Sequence, residues 1–206
     1  FGGYPSPILP DGRMISLPIP AKGPWDSIKY GDLIFGNKTI YELMKELNPK
    51  IKINGRWVRL RKDTRCHLDP DIYENLMERP KNWRPIFGQI GTAAAHLDNQ
   101  GVKEGDIFLF FGTFRKTKYL NGKIIFDPKD TERHVIFGYL QIEKKIKVGP
   151  NTILPKWMSY HPHTKPERRR TKNNTIYIAR KTLSWNNKLP GAAIFNYDES
   201  LVLTKN

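Results

Sequence analysis

A run of almost unbroken apolar residues at 106–114 sets the strongest limit on how this chain folds. Because polar residues do not alternate with the apolar ones, the run predicts a central strand buried on both faces. The Asn121-Gly122 pair between two further apolar segments predicts a tight β-hairpin. Further strands are expected at 134–142, 175–180 and 200–204.

Helical signals occur mainly in the first half of the chain. Thr39 and Glu42 have the spacing of a capping box at the start of an amphipathic segment. A second helix is predicted from Asp69, its N-cap, to about residue 79, and a third over about 89–99. Two or three short helices with seven or eight strands indicate an α+β domain around a small closed or strongly bent sheet.

The chain is strongly basic, with 35 Lys and Arg against 20 Asp and Glu and a formal net charge of +15. DNA or a nucleotide is the partner that suits this surplus best, because neutralising phosphates releases condensed counterions. A lysine-rich surface that serves solubility is the alternative. No membrane partner is expected, since the sequence shows neither a basic amphipathic helix nor an apolar run of about 20 residues.

The densest basic cluster consists of Arg168, Arg169, Arg170 and Lys172. It lies within 149–173, a segment without regular periodicity that is expected to be a long basic loop. The four side chains are candidates for binding nucleic-acid phosphates. The alternative is a solvated loop that binds nothing.

The single cysteine excludes an intramolecular disulfide and an all-cysteine zinc site. Cys66 precedes His67, but neighbouring residues in a strand face opposite sides, so a buried thiol is expected rather than a Cys–His nucleophile. A Gly-x-Ser-x-Gly elbow and the motif of zinc deaminases are both absent from the sequence.

Two pairs of chemically active residues have a spacing of two: His67 with Asp69, and His161 with His163. In an extended segment such residues point to the same face, which suits two ligands of one metal ion. These four residues are therefore candidates for a divalent metal site, and no other cofactor is indicated. The alternatives are that Asp69 caps a helix while His67 bonds to the backbone, and that the loop histidines contact phosphate or a base.

Several other side chains are candidates for contact with a nucleic acid. Gln89 suits a base edge, and Trp157 and Tyr160, near His163 and the arginines, suit stacking on a base. Aromatic rings of this kind also cover the edges of cores, which is the alternative. His96, within the third predicted helix, is either a catalytic base or a half-buried, satisfied histidine.

The Gly105-Asp106 turn before the apolar strand, followed by a second strand that contains Gly138, resembles the PUA-like superfamily with its ASCH and EVE branches. Members are small β-barrels that bind RNA or flipped modified bases in a cleft beside the barrel. The resemblance implies a fold that is a small PUA-like mixed or antiparallel β-barrel with two or three short flanking helices.

A second resemblance spans most of the chain. It rests on 3–12 with 16–20, on 66–71, on 87–102, and on 161–163 with 173–177. These segments are similar to the nucleotide-modification-associated domain family, third type, a bacterial and phage family proposed to act in DNA base modification. The resemblance implies a protein of the bacterial or phage-infected cytoplasm. Members begin with a further strand and a Ser-Arg-Lys-Gly-like turn, so 1–206 is expected to be a single domain trimmed at its N-terminus, and trimming at its C-terminus stays open.

Three functional classes remain. The first is a nucleic-acid or nucleotide-binding domain of a DNA base-modification system. The second is an enzyme that modifies or removes a base or nucleotide group, with a catalytic centre of His67, Asp69, His96 and His161. The third is a protein-interaction module whose positive face docks an acidic partner.

Overall fold

The computed structural model describes residues 3–21, Gly23 and residues 25–205. Phe1 and Gly2, at the expected trimmed start, lie outside the described residues. The strands of the described part are β1 (Ser6–Ile8), β2 (Ile19–Pro20), β3 (Ile34–Phe35), β4 (Lys38–Thr39), β5 (Lys50–Ile53), β6 (Arg56–Arg59), β7 (Cys66–His67), β8 (Ile86–Gln89), β9 (Ile107–Leu120), β10 (Lys123–Phe126), β11 (Arg133–Lys147), β12 (Thr175–Ala179), β13 (Thr182–Leu183), β14 (Asn186–Pro190), β15 (Ala192–Ile194) and β16 (Val202–Lys205).

The helices of the described part are α1 (Ile40–Leu47), α2 (Gly91–Asn99) and α3 (Pro166–Arg169). Short 3-10 helices lie at Tyr30–Asp32, Glu74–Leu76, Lys156–Met158, Pro162–Thr164 and Glu199–Leu201. The chain is therefore α+β and mostly strands, which confirms the predicted class.

The main sheet follows the order β1-β9-β11-β12-β8, with β10 beside β9 and with β15 and β16 beside β11. It is curled into a half-barrel. β1 runs parallel to β9, and the other pairs in this sheet are antiparallel. β11 pairs first with β9 and then, after a register shift between Ile142 and Lys144, with β12. β11 therefore continues beyond the strand expected at 134–142.

The first half of the chain packs its own core around α1. The capping box is present, since Thr39 Oγ1 accepts from the Glu42 N–H at 3.1 Å and the Glu42 carboxylate accepts from the Thr39 N–H at 2.7 Å. Helix α1 buries Ile40, Leu43 and Met44. This confirms the predicted helix.

The apolar strand differs from the prediction. In β9 the side chains of Phe110 and Phe114 are buried, but Leu109 is 55% exposed and Phe111 is 62% exposed. Only one face of this strand packs into the core, so the expectation of burial on both faces is wrong. Among the strands of the described residues, β12 is the one that is buried at every position.

The helix predicted from Asp69 to about residue 79 is also wrong. Only the 3-10 turn Glu74–Leu76 forms there, because Asp71 pairs its backbone with Ile86 in both directions, at 2.9 and 3.0 Å. The Asp69 carboxylate accepts from the Gly88 N–H at 2.9 Å and caps no helix. Backbone pairing with β8 thus prevents the helix that the local capping signal predicts.

The segment 149–173 contains two 3-10 turns and α3 rather than one long irregular loop. The Arg169 guanidinium closes the segment on itself, since it donates to the carbonyl oxygens of Gly149, at 3.1 Å, and Thr152.

Gly138 allows β15 to approach β11. A Cβ at this position would lie 2.7 Å from the Ala193 carbonyl oxygen and 3.0 Å from Ile72 Cδ1. We expect Gly138→Ala to lower the free energy of unfolding by about 1–3 kcal/mol, the cost of overpacking, as measured by urea denaturation. Gly112→Ala in β9, where the nearest atom is 3.4 Å away, is the matched control. Equal losses in the two variants would contradict this explanation.

The Glu46 side chain links α1 to β10 through hydrogen bonds. Its carboxylate accepts from Lys38 Nζ at 2.7 Å and from the Ile124 N–H at 2.9 Å. Burial alone would raise the pKa of Glu46, but these bonds outweigh it and hold the pKa below its ordinary 4.5. A depressed pKa contributes stability that is present above about pH 4.5 and is lost as the pH falls. Glu46→Gln should therefore be less stable than the parent at neutral pH, with a difference in urea midpoint that shrinks on acidification; a difference that does not change with pH would refute this.

Candidate functional site

Asp69 lies at the centre of three histidine side chains, and we call these four residues the Asp69 centre. The carboxylate is 5% exposed. Its oxygens lie 3.8 Å from Nε2 of His67, 3.6 Å from Nε2 of His161 and 3.3 Å from Nε2 of His163. The two pairs singled out in the sequence, far apart along the chain, therefore meet in space.

The first pair is positioned by an extended segment that begins in β7. His67 pairs with Ile19 of β2. The residue after it, Leu68, is buried in the core of the first half, so His67 and Asp69 share the opposite face, as the spacing predicts. The Gly88 N–H then fixes one Asp69 oxygen.

Gly88 is required because the His163 ring occupies the space of a side chain. A Cβ at Gly88 would lie 2.4 Å from His163 Cδ2. Strand β8 and the His163 ring are therefore in direct contact.

The second pair is positioned by a 3-10 turn. His161 is extended at φ −68° and ψ 138°, as expected for a residue before proline, and precedes the turn Pro162–Thr164. The Thr164 hydroxyl donates to the His161 carbonyl oxygen at 2.8 Å. Both histidines are buried.

A second carboxylate anchors this turn from outside the centre. Asp71 is buried and accepts two hydrogen bonds from Arg79, at 2.9 and 2.8 Å, and one from the Tyr160 hydroxyl. Tyr160 also accepts from Trp83 Nε1 at 2.7 Å. Since Tyr160 directly precedes His161, this network holds the turn against Asp69.

The charges in the centre are set by burial and by mutual contact. Burial alone would raise the pKa of Asp69, but the three imidazoles around it outweigh that effect and hold the pKa well below its usual range. Burial alone would lower the pKa of His67, but Asp26 and Asp69 outweigh it and raise the value from 6.5 to about 9. Burial lowers the pKa of His161. Asp69 is therefore ionised and His161 neutral at neutral pH.

A cavity of about 230 Å³, which we call the site cavity, opens beside the centre. Its lining includes Asp26, His67, Asp69, Gln89, His163 and Arg168. A second, larger cavity of about 340 Å³ has a mainly apolar lining that includes Tyr73, Phe110 and Phe137. Asp69 lines both cavities.

Arg168 supplies positive charge to the site cavity. Its guanidinium carbon lies 4.5 Å from the centre of the Trp25 ring. Burial lowers the pKa of Arg168, while Asp26 and Asp69 act in the opposite direction. Its Nε is buried without a hydrogen-bond partner among the described residues. Because Arg168 lines the site cavity, its positive charge favours an anion there.

The structure brings some of the predicted binding residues to this cavity and leaves others away from it. Gln89, His163 and Arg168 line it. Arg169 is used to close its own segment, while Arg170 and Lys172 are exposed. Their contact with nucleic acid stays a prediction.

Three further candidates are placed away from the cavity. Trp157 packs against the core cluster that contains Met158, and the Tyr160 hydroxyl bonds to Asp71. His96 is exposed on α2 and is not among the described residues that line the two cavities. Its catalytic role stays a prediction that this geometry does not support.

Sequence reasoning missed two residues that hold the histidines. His67 Nδ1 lies 2.6 Å from the Asp26 carboxylate, and His163 Nδ1 lies 2.7 Å from the Asn174 amide oxygen. Asn174 lies within a segment that supports the family resemblance. Nothing in the spacing of Asp26 distinguishes it from an ordinary surface aspartate.

Comparison with known protein families gives a match over the whole chain. The sequence model of the family described as nucleotide modification associated domain 3 matches residues 1–206. No curated protein and no solved structure matches the chain significantly. Among the described residues, no helix combines the length and apolar character needed to cross a membrane.

The Asp71 network generates a stability prediction. Asp71→Ala leaves the Arg79 guanidinium, 10% exposed, without its carboxylate, so we expect the free energy of unfolding to fall by about 3–5 kcal/mol. The matched control is Asp11→Ala, which breaks a half-exposed pair with Arg13 and should cost about 0–1 kcal/mol. Urea denaturation of both variants measures the difference; a loss for Asp71→Ala no larger than that of the control would show that the network does not hold the turn.

Proposed function

The chain belongs over its whole length to the nucleotide modification associated domain 3 family, and we propose that it is an enzyme that modifies or removes a group on a nucleobase or nucleotide. The observation that supports this most is that the two pairs of residues, His67 with Asp69 and His161 with His163, converge on one buried carboxylate beside a cavity.

Burial of the centre favours catalysis over simple binding. A surface that only binds phosphate needs exposed cations, whereas His161 is fully buried and Asp69 is nearly so. Ionisable groups placed in this way have shifted pKa values and cost folding free energy, and they concentrate at active sites. A buried carboxylate with three imidazoles offers the groups that enzymes use to move protons or to hold a metal ion.

The lining of the site cavity supports a nucleotide as substrate. Arg168 offers a guanidinium to a phosphate, and Gln89 offers an amide to a base edge. Both line the cavity that also contains His67 and Asp69. The net charge of +15 favours approach of a polyanion, so we propose DNA in a bacterial or phage-infected cell as the source of the nucleotide unit.

A second candidate is a nucleic-acid-binding domain without turnover. The curled half-barrel sheet and the basic surplus favour it, since a PUA-like barrel would hold a flipped base in a cleft beside its sheet. It shares the substrate class of the first proposal and differs from it only in chemistry.

The experiment that separates the two is mass spectrometry of nucleosides. Protein incubated with DNA or mononucleotides, with divalent metal ions present, should yield an altered nucleoside. Because Asp69 is the common neighbour of the histidines, Asp69→Asn should reduce the rate by about 10²–10⁴-fold.

The control variant is Asp106→Asn, whose carboxylate accepts from the Lys103 N–H in a turn and should leave the rate unchanged. Binding that weakens linearly on a log–log salt plot without any altered nucleoside would establish the binding domain instead.

A further inference from the structure

The hydrogen bonds of Asn174 fix the tautomer of His163. The Asn174 Nδ2 donates to the carbonyl oxygens of His163, at 2.9 Å, and Arg168, at 3.1 Å. Both amide hydrogens are thereby used, and Oδ1 can only accept. The Nδ1 of His163, 2.7 Å from that oxygen, therefore carries the proton, and Nε2 of the neutral ring presents a lone pair.

Asp26 fixes the tautomer of His67 in the same way. Its carboxylate, 1% exposed, lies 2.6 Å from His67 Nδ1, and a carboxylate accepts. Nε2 of the neutral His67 ring is then a second lone pair, and it faces Asp69.

Three acceptor atoms therefore converge on one point. Nε2 of His67 and Nε2 of His163 lie 3.8 and 3.3 Å from the same Asp69 oxygen, Oδ2, and one ligand atom from each of the three residues lies within 4.8 Å of the others. With both rings neutral, none of these atoms donates to another, so their close approach requires a cation between them, either a proton or a metal ion. Histidines that bind a metal ion through one ring nitrogen usually donate a hydrogen bond from the second nitrogen to an oxygen acceptor. Both His67 and His163 have such an acceptor at Nδ1.

We propose that His67, His163 and Asp69 bind one divalent transition-metal ion through these three atoms. Two imidazoles with one carboxylate favour Fe²⁺, Mn²⁺, Co²⁺, Ni²⁺ or Zn²⁺ over Mg²⁺ and Ca²⁺, which prefer oxygen ligands. Three protein ligands leave positions open for water and substrate on the side of the site cavity. This inference rests on the proposed function, since the ion would be the cofactor of the same catalytic centre.

His161 is not a ligand in this arrangement. Its Nδ1 accepts from the His163 N–H at 3.4 Å, so its Nε2 carries the proton. That Nε2 lies 3.6 Å from Asp69 Oδ1 and is buried without a hydrogen-bond partner among the described residues. His161 is therefore a positioning residue, which presents an N–H towards the Asp69 oxygen that also accepts from Gly88.

The test is titration of chelator-treated protein with Co²⁺ and Zn²⁺ in the absence of any nucleotide. We expect about one ion per chain, a visible Co²⁺ absorption band that Zn²⁺ abolishes, and a rise in melting temperature that a chelator reverses. His67→Gln and His163→Gln should lose the band. His134→Gln, whose ring bonds to Thr204, is the matched control and should keep it.

Two further variants test the ligand set. His161→Gln should keep about one Co²⁺ per chain, whereas Asp26→Asn should weaken affinity about 10–100-fold, the usual effect of losing a partner of a ligand. Retention of the band in both His67→Gln and His163→Gln, or its loss in His161→Gln, would overturn the ligand set.

If a ligand variant does not fold, paramagnetic broadening by Co²⁺ in the unmodified protein gives the same information. The ring signals of His67 and His163 should broaden most, and those of His96 and His134 should not. Failure of the folded protein to bind both Co²⁺ and Zn²⁺ would overturn the metal site even if a nucleoside is altered. A bound ion without an altered nucleoside would contradict only the proposed function.

Discussion

An ionised carboxylate buried among imidazoles is the interaction on which the arrangement of this molecule depends. A buried charge costs several kcal/mol unless hydrogen bonds and opposite charge compensate it. For Asp69 the compensation comes from the Gly88 N–H and from the histidines of the centre. Because these groups belong to β7, β8 and the turn after Tyr160, one carboxylate holds three separate parts of the chain at a common point.

In the segment that contains Asp69, side chains alternate between two sides of the backbone. His67, Asp69 and Asp71 point towards the turn and its neighbours, whereas Leu68 is buried in the core around α1 and Ile72 in the core beside β9 and β11. From His67 to Asp69 this is the alternation of a strand, although regular pairing covers only Cys66–His67. Each carboxylate then serves a different purpose: Asp69 faces the histidines, and Asp71 secures Tyr160 beside them.

The sequence predicts best what depends on neighbouring residues. The capping box of Thr39, the hairpin at Asn121-Gly122 and the shared face of His67 and Asp69 are local, and all three are present. The prediction of a helix after Asp69 is wrong because a capping aspartate and an aspartate bound by a distant N–H look alike in sequence. The meeting of the two pairs, and the support from Asp26 and Asn174, depend on contacts between distant segments that spacing does not encode. The exposure of Phe111 likewise depends on which face of β9 the core covers.

The position of β8 at the edge of the main sheet, next to β12, bears on the order of events during folding. Half of the Asp69 centre comes from before β8, and the other half precedes β12, so the two halves are joined only when strands far apart along the chain pair. Contacts between residues so far apart along the chain form late and slowly. The chain loses the entropy of closing the intervening loop before these contacts contribute any stabilising free energy. A ribosome must therefore deliver the chain through β12 before the pocket exists, and a nascent chain that ends before residue 175 holds every histidine of the centre without the strand that brings them together.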